Sequence, residues 1–124
     1  KFGGTSVASN DKLKNIAEIV IKELKNHKII VILSAMAGET NKLQSYLDEF
    51  GSQKSIESDL VLTSGEQVTI GLLSAALKNK GIKTFIEYGP GGILCGLNKR
   101  IDRSINSFKL DSIDALELLN DKFS

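Results

Sequence analysis

The sequence predicts an α/β sandwich built on a mainly parallel sheet. Two patterns and one spacing carry that expectation: amphipathic segments of helical period, short runs rich in β-branched residues, and their alternation along the chain. Strands separated by helices must pair in parallel through right-handed crossovers. In such sheets ligands bind beyond the carboxyl ends of the strands, so the loops that leave those ends are where chemistry is sought.

The elements follow in order. Leu13, Ile16, Ala17, Val20, Ile21 and Leu24 fall on one stripe, with Lys14, Glu18, Lys22 and Lys25 turned away, which predicts a helix. Ser9 or Asn10 is its expected N-cap, and Asp11 suits the positive end of the helix dipole. Residues 29–33, "IIVIL", form a continuous apolar run too short for a buried helix and predict a strand covered on both faces. A second helix is expected over 41–50, with Leu43, Leu47 and Phe50 inward, and residues 51–58 read as a polar connection. Residues 59–80 have a helical pattern interrupted near Ser64-Gly65, and Gly81 is placed to end it. "IKTFIEY" predicts a second strand, "GPGG" at 89–92 a turn, and "ILC" a short further strand. A closing helix over 111–122 is expected to bury Ile113, Leu116 and Leu119.

Composition narrows the function. With 124 residues the chain suffices for one modest domain. Sixteen Lys and Arg stand against fifteen Asp and Glu, a net charge of +1, so no charge excess argues for nucleic acid or a membrane surface. No apolar run looks long enough to cross a bilayer. A single cysteine, Cys95, excludes an intrachain disulfide framework and suits a reducing, cytoplasmic setting. The chain opens on Lys rather than Met, so residues ahead of Lys1 are expected.

Three segments carry candidate chemistry. "KFGGTS" combines Lys1, Gly3, Gly4, Thr5 and Ser6 just ahead of a strong helix. Glycines let a backbone approach phosphate, amides and hydroxyls donate to it, and a lysine neutralises it. The same residues would also serve as an ordinary turn. "SAMAGET", residues 34–40, puts Ser34 at a strand tip and Thr40 near a helix start, where Thr40 or Asn41 is equally readable as a cap. "TSGEQVT", residues 63–69, places Glu66 beside an expected helix break, either as an acceptor for a substrate ammonium or as a carboxylate favoured at a helix start. His27 reads as a solvated residue, Cys95 as core, and no His/Cys/Asp cluster has metal-ligand spacing.

Taken together and in this order, "KFGGTSV", "VILSAMAGETN" and "TSGEQVTIGLLSAAL" resemble the aspartokinases, within the amino-acid kinase fold; the match runs over residues 1–88. The resemblance implies a three-layer α/β sandwich and ATP-dependent phosphorylation of the side-chain carboxylate of L-aspartate to 4-phospho-L-aspartate, the step that opens lysine, threonine and methionine synthesis. It implies ATP with Mg²⁺ as co-substrate and no tightly bound cofactor. By position it assigns Lys1 to the transferring phosphoryl group, Gly3, Gly4, Thr5, Ser6 and Ser34 to the phosphates, and Thr40 and Glu66 to aspartate. Beyond Tyr88 the chain departs from the family. "GPGGILCGLNKRI" puts Cys95-Gly96 where the family has Thr-Asp, and no histidine precedes Lys99. The family's GRGGSD and TDVDG-type segments and its regulatory domains are absent. Residues 1–124 are therefore expected to be the N-terminal portion of a catalytic domain, with an incomplete fold. A homo-oligomer or a complementing C-terminal half are the expected partners. The rival reading is a non-catalytic remnant that acts only as a binding or interaction module.

Overall fold

The computed structural model describes residues 1–51, 55–89, 92–101 and 103–123; the side chains of Ile93, Leu97 and Ile101 lie outside the description. Two compact units divide the chain, Lys1–Lys80 and Gly81–Ser124.

In the first unit, helix α1 (Asn10–Glu23) begins where expected: Ser9 is extended and its hydroxyl accepts from the Lys12 N–H. Leu13, Ile16, Ala17 and Val20 are buried, so the apolar stripe is the packed face. Helix α2 (Glu39–Glu49) starts two residues earlier than the sequence suggests. Gly38, left-handed at φ 86°, occupies its N-cap, and Thr40 and Asn41 lie inside the first turn instead of capping it. Leu47 is buried, but Phe50 is 85% exposed, because the helix ends at Glu49 and Phe50 falls off its packed face.

Helix α3 (Ile56–Asn79) runs unbroken through Ser64-Gly65 and takes in residues 56–58 of the expected polar connection; residues 52–54 of that connection lie outside the described residues. Ser55 and Ser58 cap its start reciprocally. A glycine inside a helix costs only about 1 kcal/mol against alanine, which packing offsets without breaking the helix. Here Gly65 is buried, and a Cβ on it would stand 3.1 Å from Leu43 Cδ1 and 3.2 Å from Ala35 Cβ. The glycine marks a close approach rather than a break. Gly81, at φ +92°, ends the helix as expected. Contrary to the sequence reading, α3 is by length and composition alone apolar enough to cross a membrane. It packs on α1 and α2 and buries Gly65, Thr69, Leu73 and Leu77 on that side, while Leu60 and Val68 are exposed. Lys80, just past its end, pairs with Glu18 of α1.

The expected strand at 29–33 is reduced to one parallel bridge between Phe2 and Leu33, with the Phe2 N–H donating to the Ile32 carbonyl at 2.9 Å. Ile29, Val31 and Leu33 are half-buried, whereas Ile30 is 89% and Ile32 54% exposed. The run is covered on one face, not two, because a ladder needs neighbouring strands and only Phe2 supplies a partner among the described residues.

The second unit is a strand–helix–strand crossover followed by a helix. Strand β1 (Thr84–Tyr88) is the expected strand. The expected "ILC" strand is instead the start of helix α4 (Ile93–Ile101), for which Ile93, Leu94, Leu97 and Ile101 have helical spacing. Strand β2 (Asn106–Leu110), not foreseen, pairs with β1 in parallel, Thr84 opposite Asn106 through Tyr88 opposite Leu110. Gly89 and Gly92 of the expected turn have positive φ, and Pro90 and Gly91 lie outside the described residues. Helix α5 (Ile113–Phe123) buries Leu119 and sets Phe123 edge-on to Phe108 with centroids 5.6 Å apart. Ile113 and Leu116, expected inside, are exposed, since β2 is the one described strand on which α5 packs and it reaches only part of the helix surface.

Candidate functional site

The bridge between Phe2 and Leu33 is parallel, so both chains leave it in the same direction. Residues 3–6 and residues 34–40 therefore depart from the same edge, side by side. Their closeness is measurable: a Cβ on Gly4 would stand 3.0 Å from the Ala35 carbonyl oxygen and 3.5 Å from the Ala37 nitrogen. Ala35 is buried and its methyl faces Gly65 of α3. Two glycines on either side of an alanine thus bring three segments together: the opening loop, the loop after Leu33, and the α3 turn that carries Ser64, Gly65 and Glu66. Ala35 and Gly65 were not singled out from the sequence as functional. Their signal was a glycine inside a helical pattern and an alanine in a loop of small residues, both of which mark close backbone approach.

The opening loop is a pair of tight turns. The Gly3 carbonyl accepts from the Ser6 N–H at 2.9 Å and from the Val7 N–H at 3.3 Å, and the Gly4 carbonyl shares the Val7 donor at 3.3 Å. Fully buried Val7 anchors the loop's end. In a trans peptide the carbonyl and the following N–H point oppositely. Turning the Gly3 and Gly4 carbonyls inward therefore turns the Gly4 and Thr5 N–H groups outward. Among the described residues no backbone acceptor takes the N–H of Gly3, Gly4 or Thr5. A run of free amides of this kind is an anion-binding concavity.

The side chains share that condition. Among the described residues Lys1, Thr5, Ser6, Thr40 and Glu66 are exposed, Ser34 is half-buried, and none of the six has a hydrogen-bond or ion-pair partner. The hydroxyls of α3 differ. Thr63 donates to the Asp59 carbonyl at 2.8 Å, Ser64 to Val61 at 2.6 Å, and Thr69 to Gly65 at 3.2 Å. Those groups are spent on their own helix. Glu66 lies within α3 rather than at a helix start, so the dipole does not account for it.

Elsewhere the polar groups are paired or shielded. His27 faces Glu23 at 3.3 Å, both exposed. Glu87 of β1 accepts from the Leu94 N–H at 3.3 Å and the Cys95 N–H at 2.9 Å, closing the start of α4. Burial, and then the Glu87 carboxylate beside it, push the Cys95 thiol above its ordinary pKa, which is the opposite of what a nucleophile needs. Among the described residues no group of three His, Cys, Asp or Glu could hold a metal ion.

Comparison with known proteins adds to this geometry. The profile of the "Amino acid kinase family" matches residues 1–116. An aspartokinase of Rickettsia felis is 49% identical over 88 residues, 67% of this chain and 22% of that protein. Aspartokinase 2 of Bacillus subtilis is 48% identical over 83 residues, 65% of this chain and 20% of its own length. The aspartokinase of Bacillus sp. strain MGA3 is 36% identical over 124 residues, 89% of this chain and 30% of its own length. Among solved structures, aspartate kinase from Synechocystis superposes with a TM-score of 0.67 at 24% identity, covering 88% of this chain and 20% of that one. The fold is thus shared, and the chain spans about a fifth of the length of the first of these relatives.

Proposed function

Since the chain belongs to the amino acid kinase family, as the match over residues 1–116 establishes, we propose that it carries the phosphate-gripping and aspartate-recognising part of an aspartate kinase. The reaction is ATP-dependent phosphorylation of the L-aspartate side-chain carboxylate to 4-phospho-L-aspartate, towards lysine, threonine and methionine, in the cytoplasm. The observation that carries this reading is the meeting of Gly4, Ala35 and Gly65, which gathers the three motif segments at one edge. The family profile spans both compact units, which supports reading residues 1–124 as the N-terminal portion of a single catalytic domain.

Phosphoryl transfer asks a protein for position and charge more than for covalent chemistry. The outward amides of Gly4 and Thr5, the unpartnered amide of Gly3 and the hydroxyls of Thr5, Ser6 and Ser34 suit phosphate oxygens. Lys1 supplies the charge that grows in value as the phosphoryl group moves to the carboxylate. Thr40 and Glu66 suit aspartate, Glu66 as counter-charge to its ammonium. The chain offers no cluster for a resident metal among the described residues, so Mg²⁺ is proposed to arrive on the nucleotide.

Exposed Ile30 and Ile32 beside a lone bridge leave an edge that a second copy or a complementing C-terminal half would cover. A second reading, a non-catalytic binding module, is favoured by one observation. Where the family's Thr-Asp pair falls, this chain has Cys95-Gly96 inside α4, with Glu87 already committed to the helix start. Fusing the chain to the second half of a related kinase and trapping product as the hydroxamate decides between the two. The kinase reading expects turnover that falls on the order of a hundredfold in Lys1→Ala, and in Glu66→Ala a raised aspartate KM. Turnover indifferent to Lys1→Ala would overturn it.

A further inference from the structure

Lys12 stands where a helix least wants a cation. It is the third residue of α1, inside the first turn, where the dipole favours negative charge and where a capping box would have Glu or Gln. The Lys12 backbone N–H is taken by the Ser9 hydroxyl at 3.3 Å, so the helix start is capped without its side chain. The side chain instead reaches back seven residues, and its ammonium donates to the Thr5 carbonyl at 2.6 Å. A charge-assisted bond of that length offsets the unfavourable placement.

We infer that Lys12 is a positioning residue for the opening loop: by holding the Thr5 carbonyl, its ammonium fixes the Thr5–Ser6 peptide, whose N–H holds the Gly3 carbonyl and with it the plane that aims the Gly4 amide at an anion of the polyphosphate class. This rests on the proposed phosphate role of that loop. The Gly3 and Gly4 carbonyls are held by the loop's own amides, at Ser6 and Val7. The Thr5 carbonyl has only the Lys12 ammonium among the described residues. Rotation about the Thr5–Ser6 peptide would withdraw the Ser6 N–H, the nearer of the two donors to the Gly3 carbonyl, and loosen the plane that directs the Gly4 N–H. Lys12 therefore steadies the peptide that supplies the shortest hydrogen bond of the turn.

The test uses the chain as it is, with inorganic tripolyphosphate as probe and amide NMR as readout. Lys12→Met is expected to shift the Gly4, Thr5 and Ser6 amide resonances, to speed their hydrogen exchange, and to weaken tripolyphosphate about tenfold, the loss of one bond to a charged group. Lys12→Arg should restore both. Helix content should hold or rise in Lys12→Met, because a cation leaves the first turn. In the wild-type protein, proton exchange at the Lys12 ammonium should be slower than at exposed Lys25. Loop amides that ignore Lys12→Met, or a Lys12 ammonium that exchanges like Lys25, overturn the inference. Loop amides that respond in a chain to which tripolyphosphate does not bind would uphold the Lys12 tie and sink the phosphate role of the loop.

Discussion

The polar groups singled out in the two compact units differ in how they are engaged. In Lys1–Lys80 the side chains of Lys1, Thr5, Ser6, Ser34, Thr40 and Glu66, carried by the three segments that meet at Ala35, have no partner among the described residues. In Gly81–Ser124 the comparable groups are consumed: Glu87 caps α4, Lys109 pairs with Asp111, and Asn98 donates to the Ser107 hydroxyl at 3.0 Å. Groups bonded within the chain are committed to the fold, whereas exposed groups without a protein partner stay open to solvent and to a ligand. The proposed site draws on the open groups of the first unit.

Several changes would break or sharpen this contrast. The largest concerns charge. Lys1→Glu should weaken tripolyphosphate binding by well over tenfold at low salt, through lost attraction and added repulsion. Lys109→Glu, in the other unit, should leave it within about twofold, because the Lys109 ammonium is already paired with Asp111. Equal effects measured by calorimetry would erase the distinction between the units. Next in size is packing. Gly65→Val adds three carbons where even a Cβ would lie 3.1–3.2 Å from Leu43 and Ala35, and should destabilise by about 1–3 kcal/mol in urea melts. An unchanged midpoint would mean that α3 does not press on Ala35.

Smaller is the cap on α4. Glu87→Ala removes a carboxylate that receives two N–H groups, and should cost about 1 kcal/mol. The same carboxylate raises the Cys95 pKa, second to burial. Thiolate therefore forms only above the ordinary thiol range, and alkylation of Cys95 by iodoacetamide should stay slow at neutral pH and climb at higher pH than for a free thiol. Glu87→Gln removes the charge and should move that profile to lower pH; a profile that stays put would remove Glu87 as a cause. Smallest is Gly96→Ala, within α4 and with open space around the added methyl, expected to stabilise by about 0.5–1 kcal/mol.

What the sequence made legible follows the strength of local signals. Helix α1 was readable to its cap, because six apolar residues repeat at one period and a serine precedes them. The segments 1–6 and 34–40 were readable as neighbours, because parallel strands place their following loops on one edge. Other features were set by neighbours that local pattern does not encode. Gly65 looked like a break and is a contact, since only the position of Ala35 explains why a side chain is excluded there. "ILC" looked like a strand because three apolar residues fit either period, and the Glu87 carboxylate that starts the helix lies six residues earlier. "NSFKL" became β2 through pairing with β1, although its own alternation is weak. Lys12 was hidden for a like reason: on the sequence it is one exposed lysine among many, and only the fold shows where its ammonium ends.

The contacts of Ala35 also set which sequences this unit can become. Gly4 abuts the backbone of Ala35 and Ala37, atoms that no substitution can trim. An enlargement at position 4 therefore cannot be relieved by trimming the nearest atoms, which are backbone. Position 65 is different, because one of its two tightest neighbours is the Leu43 side chain. Shortening Leu43 opens a compensated path on that side, leaving only the Ala35 methyl to yield. Selection for suppressors should therefore recover Gly65→Ala through position 43 and should never recover Gly4→Ala through any side chain that touches it.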